Sequence, residues 1–379
     1  MLESGLHSVG QKFVCSDCIE DYALKDFIED NVTELHGCDY CQRSREGRRS
    51  IDSDTLLEFI AEGLHTEYED PVNSVGWDSA EGGWLLPTID LYDLFQDLGL
   101  GAFSEDAALA FSGHEWVEID PYGDSPWEQQ LSRWAQFCLD VKHDRRFFFH
   151  GAGTRRNGQS LVDILDEIGK VAIESQMVST LNAGSILYRA RQHSKALTIT
   201  PTAIAELATP PAELAVTSNR MSPAGIPIFY AVRDSETAFL ETVAADATRP
   251  IVSIGKFETT AELCVLDLAE IPQMPSLFDE SYRHLRAGLK FMRAFADDLA
   301  EPIQRDGREH IDYVPTQIVS EFFRLRFNLP GGSANGICFK SSKQVDGICV
   351  CLFFKNKEFA GECPRAPFRL LEVESREAF

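Results

Sequence analysis

The apolar positions of the chain repeat first at helical and later at strand spacing. Ser53 or Asp54 can cap a helix carrying Leu56, Leu57, Phe59, Ile60 and Leu64. Ile89, Leu91, Leu94 and Leu98 recur at the same spacing, Trp127, Leu131, Trp134, Phe137 and Cys138 mark another helix, and Ser160 opens one with Leu161, Ile164, Leu165 and Ile168 on one face. The segments between them, such as Tyr68 to Gly83 and Asp120 to Pro126, are rich in glycine, aspartate and proline and read as turns. From about Asn182 the period shortens. Ile186 to Arg189, Ile226 to Val232, Ile251 to Phe257 and Leu263 to Leu268 are expected strands, and Gly336 to Phe339, Ile348 to Phe354 and Phe368 to Val373 complete the set. Between these groups a helix is expected from Tyr282 to Leu299, with Leu285, Leu289, Met292, Phe295 and Leu299 inward, and a second from Thr316 to Leu325. This order has no regular βαβ alternation, so the C-terminal part is expected to be α+β.

Composition sets limits on partners and compartment. Of 379 residues, 35 are Lys or Arg and 60 are Asp or Glu, a net charge of −25. Such a surface repels phosphate backbones, so general nucleic-acid binding is disfavoured and solubility is favoured. No run approaches the roughly 20 apolar residues that span a bilayer. The opening MLESGLHSVGQKF lacks a basic and then apolar leader, which predicts a cytoplasmic protein. Ten cysteines in a reducing compartment read as metal ligands or small core residues rather than disulfides. Cys138, Cys264, Cys338, Cys349, Cys351 and Cys363 lie among apolar neighbours and read as core.

The other four cysteines carry chemistry. Cys15 and Cys18 form one Cys-x-x-Cys knuckle, and Cys38 and Cys41 form a second, 19 residues further on. Two short turns at this spacing bring four thiolates to one tetrahedral zinc ion. Four thiolates leave no open coordination position, so the expected zinc is structural. His36, beside the second knuckle, reads as a bystander, and Asp21 to Glu34 between the knuckles as a short helix. No Rossmann or GK[ST] phosphate loop is present; Gly151-Ala152-Gly153 reads as a plain loop.

A further run is the most informative: Ser218-Asn219-Arg220-Met221-Ser222-Pro223-Ala224-Gly225-Ile226-Pro227-Ile228-Phe229-Tyr230, continuing to Ser235-Glu236-Thr237-Ala238-Phe239-Leu240-Glu241. It resembles the signature of the RES family, ADP-ribosyltransferase-like toxins with an arginine, a Gly-x-Pro strand ending in tyrosine, and a helix bearing alanine and glutamate. Leu187-Tyr188-Arg189-Ala190-Arg191 is similar to that family's opening strand. Gly336-Ile337-Cys338-Phe339-Lys340-Ser341-Ser342 is similar to the late strand that delivers a serine, placed here at Ser341 with Ser342 as the alternative. The sequence departs from the family in a long insertion between Leu268 and Tyr313. The helical region before it looks like the HEPN-type domain fused to some RES domains, and Arg145 and His150 have the spacing of a HEPN ribonuclease pair, with Phe147 to Phe149 between them reading as packing. The expected organisation is a zinc module over residues 1–50, a helical HEPN-like domain over 51–178 and an ADP-ribosyltransferase-like mixed-sheet domain over 179–379.

The resemblance implies that NAD is a substrate, with Arg220, Tyr230, Glu241 and Ser341 catalytic and Arg189, Arg191, Arg220 and Tyr230 binding NAD. The residue types suit the reaction. Breaking the nicotinamide–ribose bond develops positive charge on the ribose carbon, which a carboxylate such as Glu241 stabilises. A guanidinium fork suits pyrophosphate. The expected product is that of an NAD glycohydrolase or phosphorylase, the alternatives being mono-ADP-ribosylation of a protein or RNA cleavage by Arg145 and His150. As partners the resemblance implies an antitoxin or regulatory protein and a second copy of the chain.

Overall fold

The computed structural model describes residues 6–32, 37–41, 49–147, 161–196, 199, 204–302, 307–330, 332–359 and 366–378. They form two compact units. Unit 1 comprises Met1–Pro126 together with Met274–Ala287; unit 2 comprises Trp127–Gln273 and Gly288–Phe379. The helical span expected over 51–178 is therefore divided between them.

In unit 1, helix α1 (Tyr22–Asp30) starts where Asp21 accepts the Leu24 N–H at 3.0 Å. Helix α2 (Ser53–Leu64) is capped by Asp52, one residue before the two candidates the sequence offered; its carboxylate accepts the Thr55 N–H at 3.1 Å. Helices α3 (Leu91–Asp97) and α4 (Ser104–Ala110) follow. Leu24, Ile28, Leu56, Leu57, Ile60, Phe95, Phe103 and Phe111 are fully buried together, each adding about 1.5–3 kcal/mol of apolar transfer. Leu277 and Phe278, from inside the long insertion, belong to this same core. Nearby, Tyr22 donates to Asp279 at 2.6 Å and Arg286 pairs with Glu67 at 2.5 Å.

Unit 2 opens with α5 (Pro126–Leu139), which runs into a π-helical turn at Asp140–Asp144, and α6 (Leu161–Glu174). Phe147 is 86% exposed, so the packing role expected of it fails; Phe148, Phe149, His150 and the Gly151-Ala152-Gly153 run lie outside the described residues. The sheet is built from β1 (Val178–Leu181), β2 (Ile186–His193), β3 (Phe229–Val232), β4 (Ile251–Thr259), β5 (Leu263–Asp267), β6 (Gly336–Lys340), β7 (Ile348–Leu352) and β8 (Phe368–Glu377), in the order β8-β4-β2-β3-β7-β6-β5-β1. Only β5 and β6 run parallel. Strand β3 starts later than Ile226 because Pro227 has no N–H to give to the ladder. Helices α7 (Ser235–Thr242), α8 (Arg286–Ala300) and α9 (Val314–Leu325) complete the architecture. The fold is α+β, as the order of elements predicts.

Alternation along the strands separates two cores. Ile254, Ile337, Cys349 and Cys351, with Tyr188 and Tyr230 against them, face one way; Leu187, Phe229, Phe257, Cys338 and Val350 face the other. Of the cysteines expected in the core, Cys338, Cys349 and Cys351 are buried, Cys138 and Cys264 are half-buried, and Cys363 lies outside the described residues.

Candidate active site

The candidate residues come from adjacent strands and the helix that follows one of them. Asp234 caps α7 by accepting the Thr237 N–H at 2.8 Å, and one helix later Glu241 projects toward the end of β6. Its Oε1 accepts the Ser341 hydroxyl at 2.5 Å. Ser341 sits just past β6, where its own Oγ accepts the Lys343 and Gln344 N–H groups at 3.0 and 3.1 Å. A tight turn thus holds the serine, and Ser341 rather than Ser342 meets the glutamate.

The same Glu241 oxygen lies 3.7 Å from the Cys349 thiol. Burial and the neighbouring carboxylate push that thiol well above its ordinary pKa, so it is a neutral S–H donor. Cys349 is opposite Val232 and Cys351 opposite Tyr230. Cys349, which touches Glu241, and Cys351, which pairs with Tyr230, are thus one two-residue step apart on the same face of the sheet. Tyr230 is held by its own tip: the hydroxyl accepts the Met221 N–H at 2.6 Å, with Ser222 and Cys351 beside it. Burial raises its pKa well above 10, so the phenol is neutral.

That bond fixes the residue next to Arg220. Asn219 and Ser222 bridge each other, the Arg220 carbonyl accepts from Thr316, and the Asn219 carbonyl accepts from Gln317 at 2.9 Å. The Arg220 guanidinium donates to the carbonyls of Leu299, in the last turn of α8, and, at 2.8 Å, Glu301, just past its end. It lines a cleft of about 790 Å³ with Lys142, Arg308, Trp134 and Thr316. Tyr230, Glu241 and Ser341 are not in that lining, so the cleft meets the candidate site only at Arg220.

The two arginines of β2 lie elsewhere. Arg189 shares a sheet face with Leu187 and Phe229, its guanidinium 5.2 Å from the Phe229 ring, and donates to the Tyr230 carbonyl at 2.6 Å. Burial lowers its pKa to about 10, which still leaves it charged at neutral pH. Arg191, exposed, points the same way and pairs with Glu206 at 2.5 Å. The side chains of Arg189 and Arg191 are thus on the opposite sheet face from the Tyr230 ring.

Residues 186–372 match the RES domain and residues 31–155 match HEPN/RES N-terminal domain 1. The chain carries a RES domain behind a HEPN/RES N-terminal domain. No curated protein and no solved structure matches it. RES domains are in general NAD-acting, ADP-ribosyltransferase-like enzymes, and in this RES domain Glu241 meets Ser341 and Cys349 near the central strands of the sheet, while Tyr230, on the strand paired with Cys349 and Cys351, holds the Met221 N–H next to Arg220. The sequence reading missed Cys349, taking it for a core residue. The signal was available: Cys349 and Cys351 alternate with valine and leucine on one strand, which puts both sulfurs on one face.

The RES domain is preceded by a second candidate centre. Cys15, Cys18, Cys38 and Cys41 have their sulfurs within 4.8 Å of one another, with Cys15 to Cys18 at 3.7 Å and Cys18 to Cys38 at 3.6 Å. Zinc–sulfur bonds of about 2.3 Å require tetrahedral sulfur edges of about 3.8 Å, so the cluster fits zinc. Burial raises the Cys38 pKa, but N–H donation from Tyr40, at 3.4 Å, helps bring the net shift below the ordinary value. Burial and the neighbouring sulfurs push Cys18 up. His36 lies outside the described residues, as does His150 of the proposed ribonuclease pair. Arg145 of that pair is turned back to Asp140 at 3.5 Å. No described helix is long and apolar enough to cross a membrane.

Proposed function

We propose that the chain cleaves the nicotinamide–ribose bond of NAD, as a glycohydrolase or phosphorylase of the toxin or defence-effector kind. The observation that carries this reading is the Ser341–Glu241 hydrogen bond beside Cys349, on the strand that pairs with Tyr230. Glu241 Oε1 is engaged by Ser341 and Cys349, which leaves Oε2 for a ribose hydroxyl and for the positive charge that develops as the bond lengthens. The C1′–N bond breaks with its electron pair passing to nicotinamide, which departs neutral and needs no strong acid. Water or phosphate then adds an oxygen to C1′, giving ADP-ribose with release of a proton, or an ADP-ribosyl phosphate. Arg220 is positioned to bind pyrophosphate oxygens once it exchanges its two carbonyl partners for them. Arg189 supports the Tyr230 backbone from the other sheet face. A zinc ion held by Cys15, Cys18, Cys38 and Cys41 would join two turns of the N-terminal region; purified protein that carries no zinc by metal analysis removes that part of the reading.

The test is incubation of the purified chain with NAD, with and without phosphate, and identification of products by mass spectrometry. Glu241→Gln is expected to lower turnover by about 10²–10³-fold, the scale of losing a group that stabilises developing charge. Ser342→Ala should leave turnover within about twofold, since Ser341 is the residue that meets Glu241. Modified protein in place of free ADP-ribose identifies the ADP-ribosyltransferase alternative. Intact NAD under all conditions overturns the proposal.

A further inference from the structure

The negative charge of the chain is unevenly placed. Residues 51–126 contain 18 of its 60 acidic residues and none of its 35 lysines and arginines. Lys12 reaches in to Asp106 and Arg286 to Glu67, but Asp70 and Glu115 have no cationic partner among the described residues. Apolar side chains stand exposed in the same stretch: Trp77 at 55% and Leu85 at 61%. Trp77 packs edge-on against Trp84 at 5.0 Å across a two-stranded hairpin, and the Trp84 indole donates to Glu115.

Glu115 also lines a small cavity of about 100 Å³, with His65, Asp70, His114 and Trp116 around it. Trp116 is 4% exposed, and its indole N–H has no acceptor among the described residues. A buried donor of this kind calls for an acceptor from a ligand or from water. The His65 ring lies 5.0 Å from the Trp116 ring, so the cavity has an aromatic wall and a carboxylate rim. A guanidinium or ammonium group fits both its size and its charge.

We propose that this face of unit 1 docks a basic segment of a partner protein. One Arg or Lys side chain of the segment enters the cavity against Asp70 and Glu115, a carbonyl oxygen accepts the Trp116 N–H, and neighbouring residues lie on Trp77 and Trp84. Aromatic faces hold both the cation and its aliphatic stem. Charge excludes the other common occupants: nucleic acid and anionic membranes are repelled by a stretch with 18 acids and no base. The inference stands apart from the NAD reading and does not need it.

The test is titration of the full chain with a synthetic nona-arginine peptide, followed by tryptophan fluorescence and by calorimetry, with nona-glutamate as the control. Saturable binding that weakens with salt is expected for nona-arginine alone. Any acidic protein attracts such a peptide, so two variants with equal change in net charge separate site from field. Asp70→Lys with Glu115→Lys is expected to weaken binding at least about tenfold, and Glu372→Lys with Glu377→Lys, on exposed β8, by less than about twofold. Equal loss in both pairs overturns the proposal. Trp116→Phe supplies a readout that misfolding cannot imitate: binding falls while the melting temperature holds or rises, because the unpaired donor is gone. Unchanged binding in Trp116→Phe removes the cavity from the proposal. Sedimentation showing a dimer that Trp77→Ser dissociates, without peptide binding in the parent chain, overturns it and assigns the face to a second copy.

Discussion

At the residue scale the site depends on what occupies each lone pair of one carboxylate. Glu241 Oε1 takes Ser341 at 2.5 Å and Cys349 at 3.7 Å, so both donors orient the carboxylate without using the second oxygen. A weak donor to a charged acceptor contributes on the order of 1 kcal/mol, or about fivefold in rate if the orientation matters only as charge develops. Cys349→Ala is therefore expected to lower kcat for NAD cleavage about fivefold with KM nearly unchanged, and Cys349→Ser to restore it to within about twofold, as read from steady-state kinetics. Parallel loss in both variants would make Cys349 a packing residue only. The resemblance to the RES family brought Glu241 and Ser341 into view, but it leaves Ser341 and Ser342 equivalent, because both follow the same strand. The turn that aims one of them is built from backbone N–H groups two and three residues on. Arg191 is exposed on β2 and pairs with Glu206 at 2.5 Å, a partner that no local pattern announces.

At the element scale, strands β2, β4, β5, β6 and β7 were legible because β-branched and aromatic runs are bounded by turn residues. Strand β8 was read short, to Val373 instead of Glu377: an edge strand exposes its polar residues, and the run from Glu374 looks like coil. Strand β1 was missed because Val178–Leu181 is brief and follows directly on a helix. The insertion was the least legible element, since nothing local says that Met274–Ala287 completes the core of unit 1. Its contribution can be measured. Phe278 is 2% exposed, and a Cβ added to Gly63 would lie 2.5 Å from the Phe278 ring. Phe278→Ala should destabilise unit 1 by about 3–5 kcal/mol through the cavity it leaves. Gly63→Ala should be destabilising too, by about 1–3 kcal/mol from overpacking, and Gly63→Ala combined with Phe278→Ala should cost less than the sum of the two, because the clash is gone. Urea denaturation monitored at the unit 1 tryptophans checks all three; strict additivity would mean that the ring and the glycine do not compete for one space.

At the scale of the whole molecule, the sheet that carries the site also carries a buried set of acids that ionise late. Cys349 and Cys351 are pushed well up by burial, with neighbouring charge adding to it, and Cys338 is raised to about 12 by burial and by Asp267. Unfolding returns all three to water, where thiols ionise near pH 8.5. Below that range both states keep their protons and the difference is silent. Above it the unfolded chain gives up protons that the folded chain retains, so the unfolded state is favoured and stability falls as pH climbs through the folded values. Each such thiol contributes a slope of about 1.4 kcal/mol per pH unit, so three together give about 4 kcal/mol per unit once fully engaged. Unfolding midpoints in urea should therefore drop steeply between about pH 9 and 10.5, and Cys338→Ala should flatten the slope by about a third while costing some stability at neutral pH. A chain whose midpoint is level across that range would require these thiols to ionise in place, which the apolar faces around them and the adjacent carboxylates of Glu241 and Asp267 oppose. The same arrangement keeps Cys349 a proton donor toward Glu241 across the neutral range, so the alkaline fragility and the orientation of the candidate catalytic carboxylate have one physical source.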